Sequence, residues 1–298
     1  MQITVAPASP RTGLATIRAL LASPAATKVI GVYRDLSRVP AELAADPRFQ
    51  AVRGDVEDAG SLDFAGSDAV LSITPPLYHS TQDVIAHARA VSENVKAAVA
   101  RAGTVKRVVL LSSAGAQYES GTGEILSNHQ SEVVMKDAAP EVVFVRCAYF
   151  MENWAMSVET VKEAGFFFST LTPMDYALPM IAVQDIGSTC AEELLAAGQP
   201  LASSPSIFEL HGPRPYTAVD VQKAFEEASG KSVEIRPVEK DGLLDFYSAV
   251  FPPAVAKLFV EMNLSFLEGG ILYEDPNPTG EVRTGKTELV EAVKQMYA

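Results

Sequence analysis

The sequence predicts an α/β fold, a doubly wound parallel sheet followed by a smaller α+β C-terminal portion. Three observations carry this. Strand-like and helix-like patterns alternate through residues 1–150. The strands are nearly continuous apolar runs, as expected of a sheet covered on both faces. Beyond residue 150 the rhythm gives way to stretches rich in aromatics, Met and Pro. Two portions are expected, 1–150 and 151–298. They should pack intimately, because no low-complexity linker separates them.

The elements follow in order. "QITVA" (2–6) is a short β-rich run. The helix pattern after it places Leu14, Ile17, Leu20 and Leu21 at helical spacing. "KVIGVYR" (28–34), "FQAVRGD" (49–55) and "DAVLSIT" (68–74) are the second to fourth strands. Residues 83–103 form a long Ala- and Val-rich helix stopped by Gly103. "KRVVLLSS" (106–113) and "EVVFVRC" (141–147) are the fifth and sixth strands. In the second portion, "VQDIGSTCAEELLAAG" and "TAVDVQKAFEEASGK" read as helices capped by Asp185 and Thr217, and "SVEIRPV" as a strand.

Composition excludes several function classes. At 48% hydrophobic residues the chain can bury a full core, and a net charge of −13 argues against general binding to nucleic acid or anionic membrane. Cys147, Cys190 and four histidines match neither a disulfide framework nor a metal-ligand spacing, so no metal is expected. The N-terminus lacks signal-peptide character, and no apolar run reaches the roughly 20 residues of a membrane span. A cytoplasmic protein with reduced thiols is expected.

Doubly wound sheets bind ligands beyond the carboxyl ends of their strands. The first such segment is "VAPASPRTG" (5–13). A Rossmann-type dinucleotide loop uses one glycine for a tight turn, one for close approach of pyrophosphate, and one for packing helix on strand. Here only the third, Gly13, is present. Pro7 and Pro10 stand where flexible glycines would, and Pro10 removes a possible N–H donor. Ser9, Arg11 and Thr12 offer hydroxyls, amides and a guanidinium to a phosphate. A rigid connector that binds nothing is the competing reading. Arg34 ends the second strand, 21 residues after Gly13, where an arginine can accommodate a 2′-phosphate. A solvated surface arginine is the alternative there. Asp35 follows it, and Asp55 ends the third strand where an adenine contact would fall.

The ordered set "ITVAPASPRTGLATIRALL", "GVYRDLSR", "RGDVED", "KRVVLLSSAGA", "VRCAYFMENW", "PMIAVQDIGSTCAEELL" and "RTGKTELVEAVKQ" resembles the NmrA-like members of the atypical short-chain dehydrogenase/reductase superfamily. The resemblance runs nearly end to end and is nearest to fungal biosynthetic-pathway members with proline in the first loop. It implies a Rossmann domain, a smaller substrate domain, NADP(H) as cofactor and a small aromatic, quinone- or enone-like substrate, in secondary metabolism. The chain departs from that pattern. It has no Tyr-x-x-x-Lys pair near the fifth strand. Where a lysine often stands four residues before a glutamate, matched here by Glu132, it has Asn128.

Candidate proton donors are therefore Tyr118 after the fifth strand and His129, with Asn128 as a neutral hydrogen-bonding partner. Cofactor contacts are expected from Ser9 to Gly13 and from Arg34, Asp55, Thr74, Pro75, Ser112 and Ser113. Tyr78, Phe150, Asn153 and Trp154 are expected to line the substrate cleft, with Phe166, Phe167, Phe168 and residues 251–255 on its far wall. Surface or plain core positions compete with each assignment. Three functions stand open: an NADP(H)-dependent reductase, a cofactor-free isomerase, cyclase or dehydratase on the same fold, and a nucleotide-sensing regulator without turnover.

Overall fold

The structure, a computed structural model, describes residues 1–80, 82–275 and 280–298. Its strands are β1 (Gln2–Ala6), β2 (Lys28–Tyr33), β3 (Phe49–Arg53), β4 (Ala69–Ile73), β5 (Arg107–Ser113), β6 (Glu141–Cys147), β7 (Tyr149–Phe150), β8 (Phe166–Ser169), β9 (Leu178–Ile181), β10 (Ser206–His211), β11 (Pro215–Tyr216), β12 (Glu234–Pro237) and β13 (Val282–Thr284). The helices are α1 (Arg11–Ala22), α2 (Ala41–Ala44), α3 (Val84–Ala102), α4 (Leu126–Met135), α5 (Val158–Ala164), α6 (Val183–Leu195), α7 (Ala218–Ser229), α8 (Leu243–Ser248), α9 (Pro253–Phe266), α10 (Ile271–Glu274) and α11 (Leu289–Tyr297).

Eight strands form one parallel sheet in the order β13-β10-β6-β5-β4-β1-β2-β3. The order reverses between β1 and β4, so the ligand crevice of a doubly wound sheet opens there. All six strands read from residues 2–147 are present. Alternate side chains divide between two cores. Val5, Leu71 and Val109 join Ile17, Leu20 and Ile186 of α1 and α6 on one face. Val70, Val108 and Leu110 join Val91, Val95 and Met135 of α3 and α4 on the other. A third core holds Trp154, Phe167, Phe225 and Leu289 from the C-terminal half.

The C-terminal half also extends the main sheet through β10 and β13, and α6 packs along α1. That helix contact is close enough that a Cβ on Gly187 would lie 2.6 Å from the Cβ of Ala15. Gly103 ends α3 at φ 64°, as its position predicted. Thr217 caps α7 in a capping box with Asp220. The expected cap of α6 is corrected: Ala182, not Asp185, holds that position. The end of α6 is served instead by Glu152, whose two oxygens accept the Val183 N–H at 3.0 Å. Asp185 lies inside the first turn and accepts the amides of Lys286 and Thr287 at 2.9 and 2.8 Å, tying down the chain before α11.

Candidate active site

The loop from β1 to α1 starts the site. Pro10 is the N-cap of α1, at φ −59°, and no side chain caps the helix. The first bond of the helix end runs from the Leu14 N–H to the Pro10 carbonyl at 2.9 Å. The amides of Arg11, Thr12 and Gly13 therefore leave the helix end without an acceptor among the described residues. Gly13 is where the sequence needs it. A Cβ there would lie 2.7 Å from the Ala8 carbonyl oxygen and 3.0 Å from that of Pro7, so a side chain would push the helix off its loop. The Ala8 N–H is bonded to the Val32 carbonyl at 2.8 Å and locks the loop to β2. These features make an anion cradle: free N–H groups at the positive end of a 12-residue helix, with no side chain in the way. The charge of Arg11 also reaches the Glu152 carboxyl and favours its ionised form against the effect of burial.

The ends of β2 and β3 supply positive charge beside that cradle. Arg34 is exposed and lies 3.5 Å from Glu57. Arg53 is the register partner of Tyr33 at the end of β3, and Arg38 closes the short turn at 36–38. Asp35 does not cancel them by pairing. Its carboxylate accepts the Ser37 N–H and hydroxyl at 2.9 and 2.7 Å. Those bonds hold its pKa below the ordinary value, with Arg38 and Arg53 adding to the effect. Arg38 and Arg53 were not singled out from sequence; a shared strand end, not a spacing, unites them with Arg34. Asp55 is largely occupied by its own loop, accepting the Glu57 N–H at 3.0 Å.

Farther along the sheet, Thr74 bonds Ser131 of α4 at 3.0 Å, and Pro75 follows it. Ser112 donates to Glu132 at 2.6 Å, and Ser113 to the Ala114 carbonyl at 3.0 Å. Glu132 is buried and held by both arms of Arg146, at 2.9 and 2.6 Å. Ser112, Glu132 and Arg146 thus form one closed network that fixes α4 to the ends of β5 and β6. Ser112 serves this network first, so its use as a pocket group is indirect.

The proton-donor candidates are differently engaged. The Tyr118 hydroxyl donates to Asp275, at 3.1 Å to the carboxylate and 3.2 Å to the carbonyl. Burial and the nearby Asp275 raise its pKa. The His129 Nδ1 lies 2.8 Å from the Ala116 carbonyl, so that nitrogen carries its hydrogen inward. Asn128 is half-buried and lies one helical turn from Glu132.

Sequence reasoning missed Glu124. It sits in the short turn (Gly123–Ile125) that leads into α4. Its carboxyl accepts the Ser127 hydroxyl at 3.3 Å. Burial pushes its pKa up to about 7, and its charge bears on Tyr78. The turn is pressed on α9, since a Cβ on Gly123 would lie 2.1 Å from the Leu258 carbonyl oxygen.

The substrate-side residues separate. Tyr78 meets the edges of Phe259 and Phe251 at 5.1 and 5.8 Å between ring centroids, and burial raises the pKa of its phenol. Phe251 stacks on Phe259 at 4.5 Å, and Tyr247 adjoins both. Helices α8 and α9, with Phe251 between them, therefore bring an aromatic wall to the end of β4. Phe150 is half-buried against the core under β1, and Asn153 is exposed and bonds Tyr149. Trp154 corrects an expectation. Only 5% exposed, it packs edge-on to Phe167 in the third core rather than lining an open cleft. Its Nε1 is buried without a partner among the described residues. The Phe166–Phe168 run divides by strand alternation: Phe167 points into that core, whereas Phe166 lies under Arg236 and Phe168 is exposed against Phe246.

No helix of the described residues is long and apolar enough to cross a membrane, and among them no His, Cys, Asp or Glu group could hold a metal.

Comparisons with known proteins agree with this geometry. A family model described as NAD(P)H-binding matches residues 8–173. No curated protein sequence matches the chain. Among solved structures, the NADPH-dependent quinone oxidoreductase QOR2 of Escherichia coli, complexed with NADPH, is similar over the whole of both chains, with a TM-score of 0.74 at 19% identity. Triphenylmethane reductase of Citrobacter sp., complexed with NADP(H), has a TM-score of 0.72 at 20% identity, covering 99% of this chain and 100% of its own. Leucoanthocyanidin reductase of Vitis vinifera has 0.62 at 14%, covering 100% of this chain and 99% of its own. At these identities the likeness shows the fold. The family match covers more than half of the sequence, including the β1–α1 cradle: this chain belongs to the NAD(P)H-binding family.

Proposed function

We propose that the protein is an NADP(H)-dependent oxidoreductase of the NmrA-like type that reduces a small aromatic, quinone- or enone-like substrate. The observation that carries this is the cradle at the start of α1. Its first-turn amides have no acceptor among the described residues, and the bare Gly13 lets α1 start directly against the loop despite the two prolines. Residues 1–150 would hold the nucleotide and 151–298 most of the substrate. Pyrophosphate would rest on the amides of Arg11, Thr12 and Gly13, with Ser9 beside them. Arg34, assisted by Arg38 and Arg53, would take the 2′-phosphate; Thr74, Pro75, Ser112 and Ser113 would flank the nicotinamide end.

When bound, NADPH would supply a hydride. The protein's own part is to orient the acceptor, exclude water and deliver a proton. The aromatic wall of Tyr78, Phe251 and Phe259 suits a flat apolar substrate. QOR2 and triphenylmethane reductase, named for reducing quinones and dyes, share the fold, which supports this substrate class.

The test is nucleotide titration by fluorescence, with Arg34→Ala as its control. The wild type should bind NADPH more tightly than NADH. Arg34→Ala should lose roughly 10-fold or more in NADPH affinity, the scale of a charge-assisted hydrogen bond, while NADH binding is nearly unchanged. Equal weakening of both would remove the 2′-phosphate assignment. No binding of NADPH at millimolar concentration would remove the reductase reading.

A further inference from the structure

Resting on that reductase reading, we propose that Glu124 is the proton donor of the reaction, its carboxylic acid protonating the substrate oxygen that gains charge as hydride reaches carbon.

Position is the first ground. Glu124 lies beyond the carboxyl end of β5, at the entry to α4. Glu124, Asn128 and Glu132 follow one another at intervals of four residues; Asn128 and Glu132 share a face of α4, and Glu124 lies in the short turn that runs directly into it. The last of them is immobilised by Arg146 and Ser112. That anchor fixes the rotation of α4, into which the Glu124 turn runs. The interval from Glu124 to Asn128 is the interval of the Tyr-x-x-x-Lys pair the chain lacks, with an acid in place of the phenol.

Enclosure is the second. Tyr78 approaches from the loop after β4, and α9 presses on Gly123 through Leu258 and Met262. The charge of Glu124 reaches Tyr78, and the same Tyr78 carries the aromatic wall. Availability is the third. Tyr118 spends its hydrogen on Asp275 and His129 spends that of Nδ1 on Ala116. The Glu124 carboxyl has Ser127 as its hydrogen-bond partner, and that group donates to it, leaving the acid hydrogen free to be given.

The step balances. The hydride pair forms the new substrate C–H bond, and the displaced π pair moves onto oxygen. That oxygen forms an O–H bond with the Glu124 proton as the carboxyl O–H breaks. The substrate is reduced at the expense of the dihydronicotinamide, and the carboxylate regains a proton from water. A donor acting near neutral pH needs a carboxyl raised well above its usual range, and burial raises Glu124 to about 7. The titratable groups on the elements packed against this turn are His129 and Glu132 on α4 and the exposed Lys257 and Glu261 on α9, and the charge of Glu124 also reaches Tyr78. What acts on the Glu124 carboxyl is burial, opposed by the Ser127 hydroxyl.

The experiment compares wild type, Glu124→Gln and Glu124→Asp with NADPH and 1,4-naphthoquinone across about pH 5 to pH 9. Nucleotide fluorescence and infrared pH-difference spectra accompany the kinetics. Glu124→Gln should bind NADPH like wild type, turn over about 100-fold or more slowly and lose the fall in kcat above neutrality. Glu124→Asp should keep that limb at a displaced pH. The wild type should show a protonated-carboxyl band at pH 6 that vanishes by pH 8 and is missing from Glu124→Gln. A Glu124→Gln enzyme with near wild-type kcat and an unchanged limb overturns the proposal, as does absence of the band. A wild type that neither binds NADPH nor reduces the quinone overturns the reductase reading and this proposal with it.

Discussion

The half-buried carboxyl of Glu124, raised to about 7, has a thermodynamic signature independent of catalysis. The perturbation is Glu124→Gln, which keeps shape and hydrogen-bonding capacity but removes the titration. In the folded protein burial raises this carboxyl from its ordinary 4.5 to about 7. The native state therefore holds a proton that the unfolded chain releases between those pH values. Stability from this group is full below about pH 4.5 and is lost as pH rises through about 7. At about 1.36 kcal/mol per pH unit, the loss approaches roughly 3 kcal/mol. Unfolding entropy of about 2.1 cal/mol/K per residue gives about 0.6 kcal/mol/K for a chain of this length, so the loss corresponds to about 5 °C in Tm. Scanning calorimetry of both proteins at pH 5 and pH 8 reads this directly. The variant should gain on the wild type by roughly 5 °C at the higher pH. An unchanged Tm difference between the two pH values would refute the burial argument.

Two further outcomes test the scaffold under the site. Arg146→Met leaves Glu132 buried without its bidentate partner; urea unfolding should show a loss of about 3–5 kcal/mol, and a loss below about 1 kcal/mol would mean the network does not anchor α4. Gly13→Ala places a methyl 2.7 Å from the Ala8 carbonyl oxygen; it should cost about 1–3 kcal/mol in stability and abolish the thermal shift that NADPH gives, whereas an intact shift would place the phosphate elsewhere.

How far the fold could be read depended on whether burial left a mark in the residue pattern. The six strands from β1 to β6 are apolar because both faces are covered, and their runs stand out. β10 does not stand out. It carries Glu209, 1% exposed, in the same sheet, with His211 bonded to it at 2.8 Å. Glu209 and His211 interrupt its apolar run, so the residue pattern does not announce a strand buried in the sheet. Trp154 misled for the converse reason, since an aromatic beside a strand end fits a cleft wall and a core equally well. The α6 cap comes from Glu152, 31 residues away, where local capping rules do not look. Glu124 left one trace, the four-residue interval to Asn128. Its importance rests on burial under α9, more than 130 residues on in the chain, which no local pattern reports.

The prolines of the first loop take their meaning from the same distinction. As substitutions for glycine they remove conformational freedom and, at Pro10, one N–H. In the fold, Pro10 precedes the three amides that stay free, so the donors that matter for an anion survive. The one glycine whose side chain would collide with backbone is retained at Gly13. What has been replaced is flexibility, and a rigid loop with its donors already aligned has less ordering left to lose when phosphate arrives. On the proposed reading the cradle is a stiffened phosphate loop rather than a broken one. The departure that bears on chemistry lies at the other end of the crevice, where an acid and an amide stand at the interval of a phenol and an amine. A lysine there would favour an ionised tyrosine or carboxylate beside it. With the uncharged Asn128 there, burial, opposed by the Ser127 hydroxyl, raises the Glu124 pKa to about 7.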